Sequence, residues 1–272
     1  MKKTRTSDSG IFPETVQAPD LVQEVSSPVK GIMTLLVLLL VTFSLSGRNR
    51  ERLVFDLKLG FIKGGEAVMI IKDTTYNGNK AVYYHLRGRT TGITDKVFDV
   101  DNEYETFVDA NTYLPYKAVR NAKERKYKYY NEVFFYHDRD SVYSKKTGWM
   151  KVPHDVTDFM TVFFYFIKHD MLEGIDQDKS MELPTFHGHE VKNIRIKSGG
   201  SEMVETKIGM KECYVLSPLV EKGKVLKRAD GVKLFILKDT KTPVQLDFET
   251  KAGTLRAILQ SYKINGREQI KN

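Results

Sequence analysis

From Arg50 onward apolar residues recur at every second position, interrupted by Gly, Asn and Asp, and this period of two constrains the fold more than any other feature. Successive side chains of a strand point to opposite faces, so the alternation matches half-buried antiparallel strands. Leu53, Phe55, Leu57 and Leu59 share one face, opposite Val54, Asp56 and Lys58. "NGNK", Asn77 to Lys80, carries hairpin-turn chemistry, and Val82, Tyr84 and Leu86 resume the pattern beyond it. In "VFDVDNEYETFV", Phe98, Val100, Tyr104 and Val108 alternate with Asp99, Asp101, Glu103 and Glu105. Acids spaced two apart on a strand face solvent together, and no glycine-bearing calcium loop interrupts them. They read as a wet strand face and not as a calcium or catalytic cluster.

The glycines of "LVFDLKLGFIKGGEAVMIIKD", Leu53 to Asp73, raise the question of a phosphate-binding loop. Such a loop needs glycines between a strand and a helix, so that backbone N–H groups and the helix N-terminus face the anion. Here a β-branched run follows, and Lys63 is not followed by Ser or Thr. The stretch is a strand, a turn at Gly64-Gly65 and a second strand, with Gly60 as a bulge that bends the first.

The alternation continues through "NTYLPYKAV" into "AKERKYKYYNEVFFYHD". Cations interleaved with Tyr127, Tyr129 and Tyr130 resemble a nucleic-acid surface. The plainer reading is a long strand with tyrosines on one side and Lys126 and Lys128 on the other, and no nucleic-acid partner is expected. The C-terminal part repeats the pattern in "HEVKNIRIK", "EMVETKIG", "KECYVLSPLV", "GVKLFILKD", "PVQLDFET" and "GTLRAILQSYK". Evenly spaced strands without alternating helices predict an antiparallel barrel or sandwich. No linker-like boundary divides it, so residues 47–272 are expected to form a single antiparallel β domain.

One segment departs from period two. In "PHDVTDFMTVFFYFIKHDMLEG", Val156, Phe159, Met160, Phe163, Phe164, Ile167 and Met171 fall on one helical stripe. Asp155 or Thr157 is expected to cap its start and Gly174 to close its end. Val162, Tyr165 and Phe166 fill the remaining faces, predicting a helix buried nearly all round. Against a curved sheet it either fills the interior or bounds a cavity, whose expected lining is Phe159, Met160, Phe163, Phe164, Phe166 and Ile167.

The apolar run "GIMTLLVLLLVTFSL", Gly31 to Leu45, is shorter than the roughly 20 residues a spanning helix needs and suits the core of a signal peptide. Ser44-Leu45-Ser46 offers small residues for cleavage near Ser46-Gly47. Residues 30–46 are therefore read as a signal peptide, or alternatively a signal anchor, behind a polar leader, 1–29, expected to be disordered. No cysteine follows the run, which excludes lipid attachment there. The chain of 272 residues has a formal net charge of +8, which points toward anionic partners such as phosphorylated lipid, acidic polysaccharide or nucleic acid and is equally explained by solubility.

No catalytic constellation is legible. His187, His189 and Glu190 in "HGHE" have the residue types of a zinc site, but they lie in a turn without an HExxH helix. His154 and His169 flank the helical segment beside Asp155, Asp158 and Asp170, and a histidine near a helix C-terminus is favoured by the dipole without a catalytic role. The single cysteine, Cys213, lies in a strand as a small buried hydrophobe, and no GxSxG elbow is present. No cofactor, metal or catalytic residue is predicted.

The motif order resembles that of the bacterial domain-of-unknown-function family 3108. The resemblance rests on "LVFDLKLGFIKGGEAVMII", on the central "TDFMTVFFYFI", and on the run from "ETKIGMKECYVL" through "DGVKLFILKD" and "TPVQLDF" to the closing "GTL". It implies an architecture like that of the lipoprotein-localisation factors LolA and LolB: mainly β, an unclosed antiparallel barrel or curved sheet, with helical elements, here one buried aromatic-rich helix, against the concave face. It also implies an exported protein of the periplasm or outer-membrane periphery, commonly from Gram-negative bacteria of the Bacteroides group, and no established activity. LolB-type proteins are lipid-anchored, whereas this chain lacks the cysteine. The expectation is a non-enzymatic envelope protein that binds a lipid, another amphiphile or an anionic envelope polymer. The alternative is an assembly factor for outer-membrane or capsule biogenesis acting through contacts with envelope proteins.

Overall fold

Alternation becomes strand almost throughout the computed structural model, which describes residues 49–168, 180–207, 209–219, 231–250 and 253–269. These lie in one compact unit, Arg48–Asn272. The leader, the apolar run, His169, Met171 and Gly174 fall outside the described residues. Among the described residues no helix is long and apolar enough to cross a membrane.

The first half of the chain is a meander. It runs through β1 (Arg50–Leu59), β2 (Ile62–Tyr76), β3 (Asn79–Thr90), a short α1 (Gly92–Phe98), β4 (Val100–Asp109), β5 (Pro115–Glu124), β6 (Tyr127–Tyr136), β7 (Ser141–Ser144) and β8 (Gly148–Lys151). The chain then crosses to the far edge with β9 (Thr157–Asp158) and enters α2 (Thr161–Lys168). It returns through β10 (Ser180–His187), β11 (Glu190–Thr206), β12 (Gly209–Leu219), β13 (Val232–Leu237), β14 (Pro243–Thr250) and β15 (Gly253–Ile264), with β16 (Arg267–Glu268) paired to β15. β15 pairs with β1, joining both halves into one sheet whose edges are β8 and β9. Among the described residues every strand pair is antiparallel except β9 with β10.

The sheet rolls up without closing. Its ends meet through side chains, with Val133, Phe135 and Val142 of β6 and β7 packed with Val152 and Val156 of the β8–β9 connection and with Phe186 of β10. The Phe135 and Phe186 rings stand edge to face, 6.4 Å apart. Leu53, Phe55, Cys213, Val215, Phe235 and Leu259 form one core cluster. α2 fills the middle. Val162 and Phe166 pack on Ile196, Leu216 and Ile236 of the returning strands, while Met160 packs with Val82, Tyr84 and Val108 of the outgoing ones. Phe166 is fully buried, and such burial stabilises by roughly 2–3 kcal/mol.

Several boundaries differ from the sequence reading. α2 starts at Thr161, not near Val156, because Asp158 is its cap: Asp158 Oδ1 accepts from the Met160 and Thr161 N–H groups at 2.7 and 3.1 Å. Thr157 is instead part of β9, its hydroxyl 2.9 Å from that of Thr185. The glycine roles are exchanged: Gly60 (φ +59°) and Phe61 make the turn between β1 and β2, while Gly64 and Gly65 lie inside β2 at a register shift. A Cβ on Gly65 would sit 2.4 Å from the Arg89 carbonyl oxygen, so close strand approach requires glycine there. Phe98 ends α1, a helix the alternation concealed, and β4 begins only at Val100. The tyrosine-rich stretch is a hairpin turning at Arg125-Lys126, with Tyr127 and Tyr129 on one face and Tyr130 on the other with its hydroxyl on Glu132. The two segments "HEVKNIRIK" and "EMVETKIG" belong to one long strand, β11, shifted in register at Gly199-Gly200.

Candidate functional site

On the outer face the acids of β4 meet the cations and hydroxyls of β3. Glu105 accepts from the Tyr83 hydroxyl at 2.6 Å, Glu103 lies 2.6 Å from His85 Nε2, and Asp101 takes a two-pronged grip from Arg87 at 2.8 and 2.7 Å. Exposed pairs of this kind contribute little each, and they leave these acids spent on neighbours.

Among the described residues two openings on the concave side stand out. One lies at a mouth of the rolled sheet and encloses about 510 Å³. Its floor is Leu53, Ile71, Val82, Tyr84, Phe164 and Ile167, and its rim includes Lys168, Lys241, Asp73 and Tyr262. The Tyr84 and Phe164 rings stack at 4.0 Å, and burial pushes the Tyr84 hydroxyl pKa far up. No described residue hydrogen-bonds that hydroxyl. Lys168 Nζ rests 5.1 Å from the Tyr113 ring centre. Lys241 Nζ lies 4.6 Å from the Tyr214 ring centre. An apolar floor beside the Lys168 ammonium group suits a molecule with an apolar body and an anionic end.

The second opening lies at the seam, a recess of about 50 Å³ between β4–β6 and the β9–β10 edge, lined by Tyr104, Arg120, Tyr129, Asp158, Phe159 and His187 among others. Phe159 stands partly exposed at the recess, its ring 5.8 Å from Tyr104 and 5.6 Å from His187. Burial, together with the nearby Arg120 charge, holds the His187 pKa below its ordinary value. Asp158 is buried; loss of hydration raises its pKa, against the bonds from Thr106 and from the Met160 and Thr161 N–H groups, which lower it.

The six residues predicted to line a cavity are therefore divided. Phe159 and Met160 border the seam recess, Phe164 and Ile167 the mouth, and Phe163 and Phe166 lie in the packing of α2 on β11–β13. Arg120 escaped the sequence reading. The signal was its parity with Ala118 and Ala122, which places a cation on the concave face of β5, opposite Tyr104 and Asn131.

The histidines do not assemble a centre. His187 and Glu190 flank the Gly188-His189 turn of the β10–β11 hairpin, and among the described residues no three His, Cys, Asp or Glu side chains converge on a metal-sized site. His154 is exposed and bonded to Asp140 at 3.0 Å, which raises its pKa. Cys213 is fully buried, and burial pushes its thiol up to about 11, leaving no reactive thiolate at neutral pH.

A single rolled antiparallel sheet, unclosed and filled by one short helix, defines a barrel-like β protein. The chain belongs to the family described as protein of unknown function (DUF3108), whose model matches residues 54–260. No curated protein matches it. Among solved structures it is similar to a β-barrel-like protein of domain of unknown function DUF1849 from Brucella abortus, with 14% identity, 79% of this chain and 97% of that one covered, and a TM-score of 0.50. A DUF1089 family protein from Pseudomonas aeruginosa is more distant, at 10% identity over 73% of this chain and 85% of that one, with a TM-score of 0.27. The Brucella likeness concerns the fold alone.

Proposed function

We propose that the protein is a non-enzymatic, exported envelope protein that binds an anionic amphiphile at the mouth of its rolled sheet. The observation that carries this reading is the opening of about 510 Å³, with Tyr84, Phe164 and Ile167 beneath Lys168 and Lys241. Its size falls in the roughly 300–1,000 Å³ range of small-molecule sites. An acyl chain lies on the rings while its acidic end meets the lysines; because α2 fills the interior, the ligand sits at the mouth and not in a deep barrel. The apolar run at 31–45 supports export to the periplasm or outer-membrane periphery, with inner-membrane anchorage as the alternative. Native mass spectrometry of protein purified from its own envelope is expected to retain a lipid or fatty acid that Lys168→Glu sheds. A ligand-free spectrum of the wild type would sink the proposal. N-terminal sequencing of the mature chain tests export, with a start near Gly47 expected.

A second reading, an assembly factor working through protein contacts, is favoured by Trp149. It is 58% exposed on the edge strand β8, flanked by Tyr136 and Tyr143 rings at 5.0 and 5.3 Å and by the Arg139 guanidinium at 5.1 Å. An open edge with an aromatic anchor suits strand addition by an envelope protein. Co-purification of one defined partner, lost on Trp149→Ala and without lipid, would select this reading.

A further inference from the structure

Among the described residues no acid pairs with Arg120. Its guanidinium carbon lies 5.0 Å from the Tyr129 ring centre and 5.7 Å from that of Tyr104. Nε is buried and makes no hydrogen bond, and among the described residues no other buried side-chain nitrogen or oxygen is in that condition. Arginine stays charged in proteins, so the orphaned donor calls for an acceptor, and an anion answers both the donor and the charge. The nearby acceptors are committed elsewhere. Asp158 accepts from Thr106 and from the Met160 and Thr161 N–H groups. Glu105 accepts from Tyr83 on the opposite face. The Asn131 amide is bonded to Ser144 and to the Lys146 N–H.

We infer that the seam recess is a monoanion site in which Arg120 grips the carboxylate of an organic acid. The planar fork of a guanidinium matches a carboxylate through two parallel hydrogen bonds, and Nε–H is one of the donors such a grip uses. Among the described residues no second lysine or arginine lines the recess, which favours one negative charge over the two of a phosphate monoester. Its volume of about 50 Å³ admits water-sized groups and excludes a sugar ring or a coiled acyl chain. Tyr104, Tyr129 and Met160 wall it with apolar surface, and Phe159, 45% exposed, stands where the rest of a longer acid leaves. The site is separate from the mouth and does not depend on the amphiphile reading.

The test is calorimetric titration of the full chain at low salt with acetate, octanoate and octan-1-ol, in wild type, Arg120→Met and the mouth variant Lys168→Glu. Acetate is expected to bind wild type and Lys168→Glu alike, with at least a tenfold loss in Arg120→Met; octanoate is expected to lose a recess component in Arg120→Met and a separate mouth component in Lys168→Glu, and octan-1-ol to show no dependence on Arg120. Acetate binding as tightly as octanoate identifies free small acids as the ligand, and octanoate binding alone identifies the acidic end of an amphiphile; both support the site. Thermal melts guard against misfolding: removing an uncompensated cation leaves Arg120→Met at least as stable as wild type, and octanoate raises the midpoint of wild type more than that of Arg120→Met. Two results would overturn the inference. One is carboxylate binding unchanged in Arg120→Met. The other is no carboxylate binding to wild type.

Discussion

Thr106 Oγ1 donates a 2.7 Å hydrogen bond to Asp158 Oδ2, fastening the middle of the outgoing meander to the strand that begins the return. The two residues lie 52 positions apart, and Asp158 also caps α2, so one carboxylate holds both the seam and the helix that fills the barrel.

Replacing Asp158 therefore exposes that double role. Asp158→Ala strands the Met160 and Thr161 N–H groups and leaves Thr106 only its Lys117 carbonyl, and is expected to cost about 2–4 kcal/mol in urea denaturation. The pH response has a definite sign. Burial raises the folded-state pKa, so the protonated form is favoured on folding; this contribution is fully present below about pH 3.8 and is lost as pH rises through the raised value. Wild type should gain stability relative to Asp158→Asn as pH falls, and a constant difference across pH would contradict this.

Glu132 should show the opposite trend. Lys117 and Lys145 lie 2.6 and 2.5 Å from its oxygens and push its pKa down to about 2. Its contribution is present above about pH 4.5 and disappears as pH falls toward 2. Glu132→Gln is expected to lose about 2–3 kcal/mol at neutral pH, after discounting for the solvated lysine, and to flatten the acid limb of the stability curve.

Phe166→Ala removes a fully buried ring from the contact of α2 with Ile196, Leu216 and Ile236. A loss of about 3–5 kcal/mol is expected from transfer and cavity terms together. Equilibrium denaturation checks it; a change below about 1 kcal/mol would mean that α2 is not a structural plug.

Two glycine substitutions in adjacent strands should differ in outcome. Gly65→Ala drives a methyl into the Arg89 carbonyl and is expected to destabilise by more than about 2 kcal/mol. At Gly88 a Cβ would meet nothing within 4 Å, so Gly88→Ala is expected to be neutral or to stabilise by up to about 1 kcal/mol. Thermal midpoints of the two variants report the contrast.

The strand content, the Asn77-Gly78 turn and the wet acids of β4 were legible in the sequence because each is decided locally. Face alternation follows from strand geometry, and positive φ at Asn77 and Gly78 (+48° and +85°) follows from what those residues tolerate. The motif order also sufficed to place the chain in its family. Other features needed the third dimension. Whether Gly60 or Gly64-Gly65 makes the turn depends on how closely β3 approaches β2, and where α2 begins depends on Asp158 being bonded across the seam to Thr106. Arg120 reads as one more surface cation until the sheet rolls and puts Tyr104, Tyr129 and the β9–β10 edge around it. A period of two says which residues share a face. Only the curvature of the sheet and the meeting of its ends decide what that face encloses.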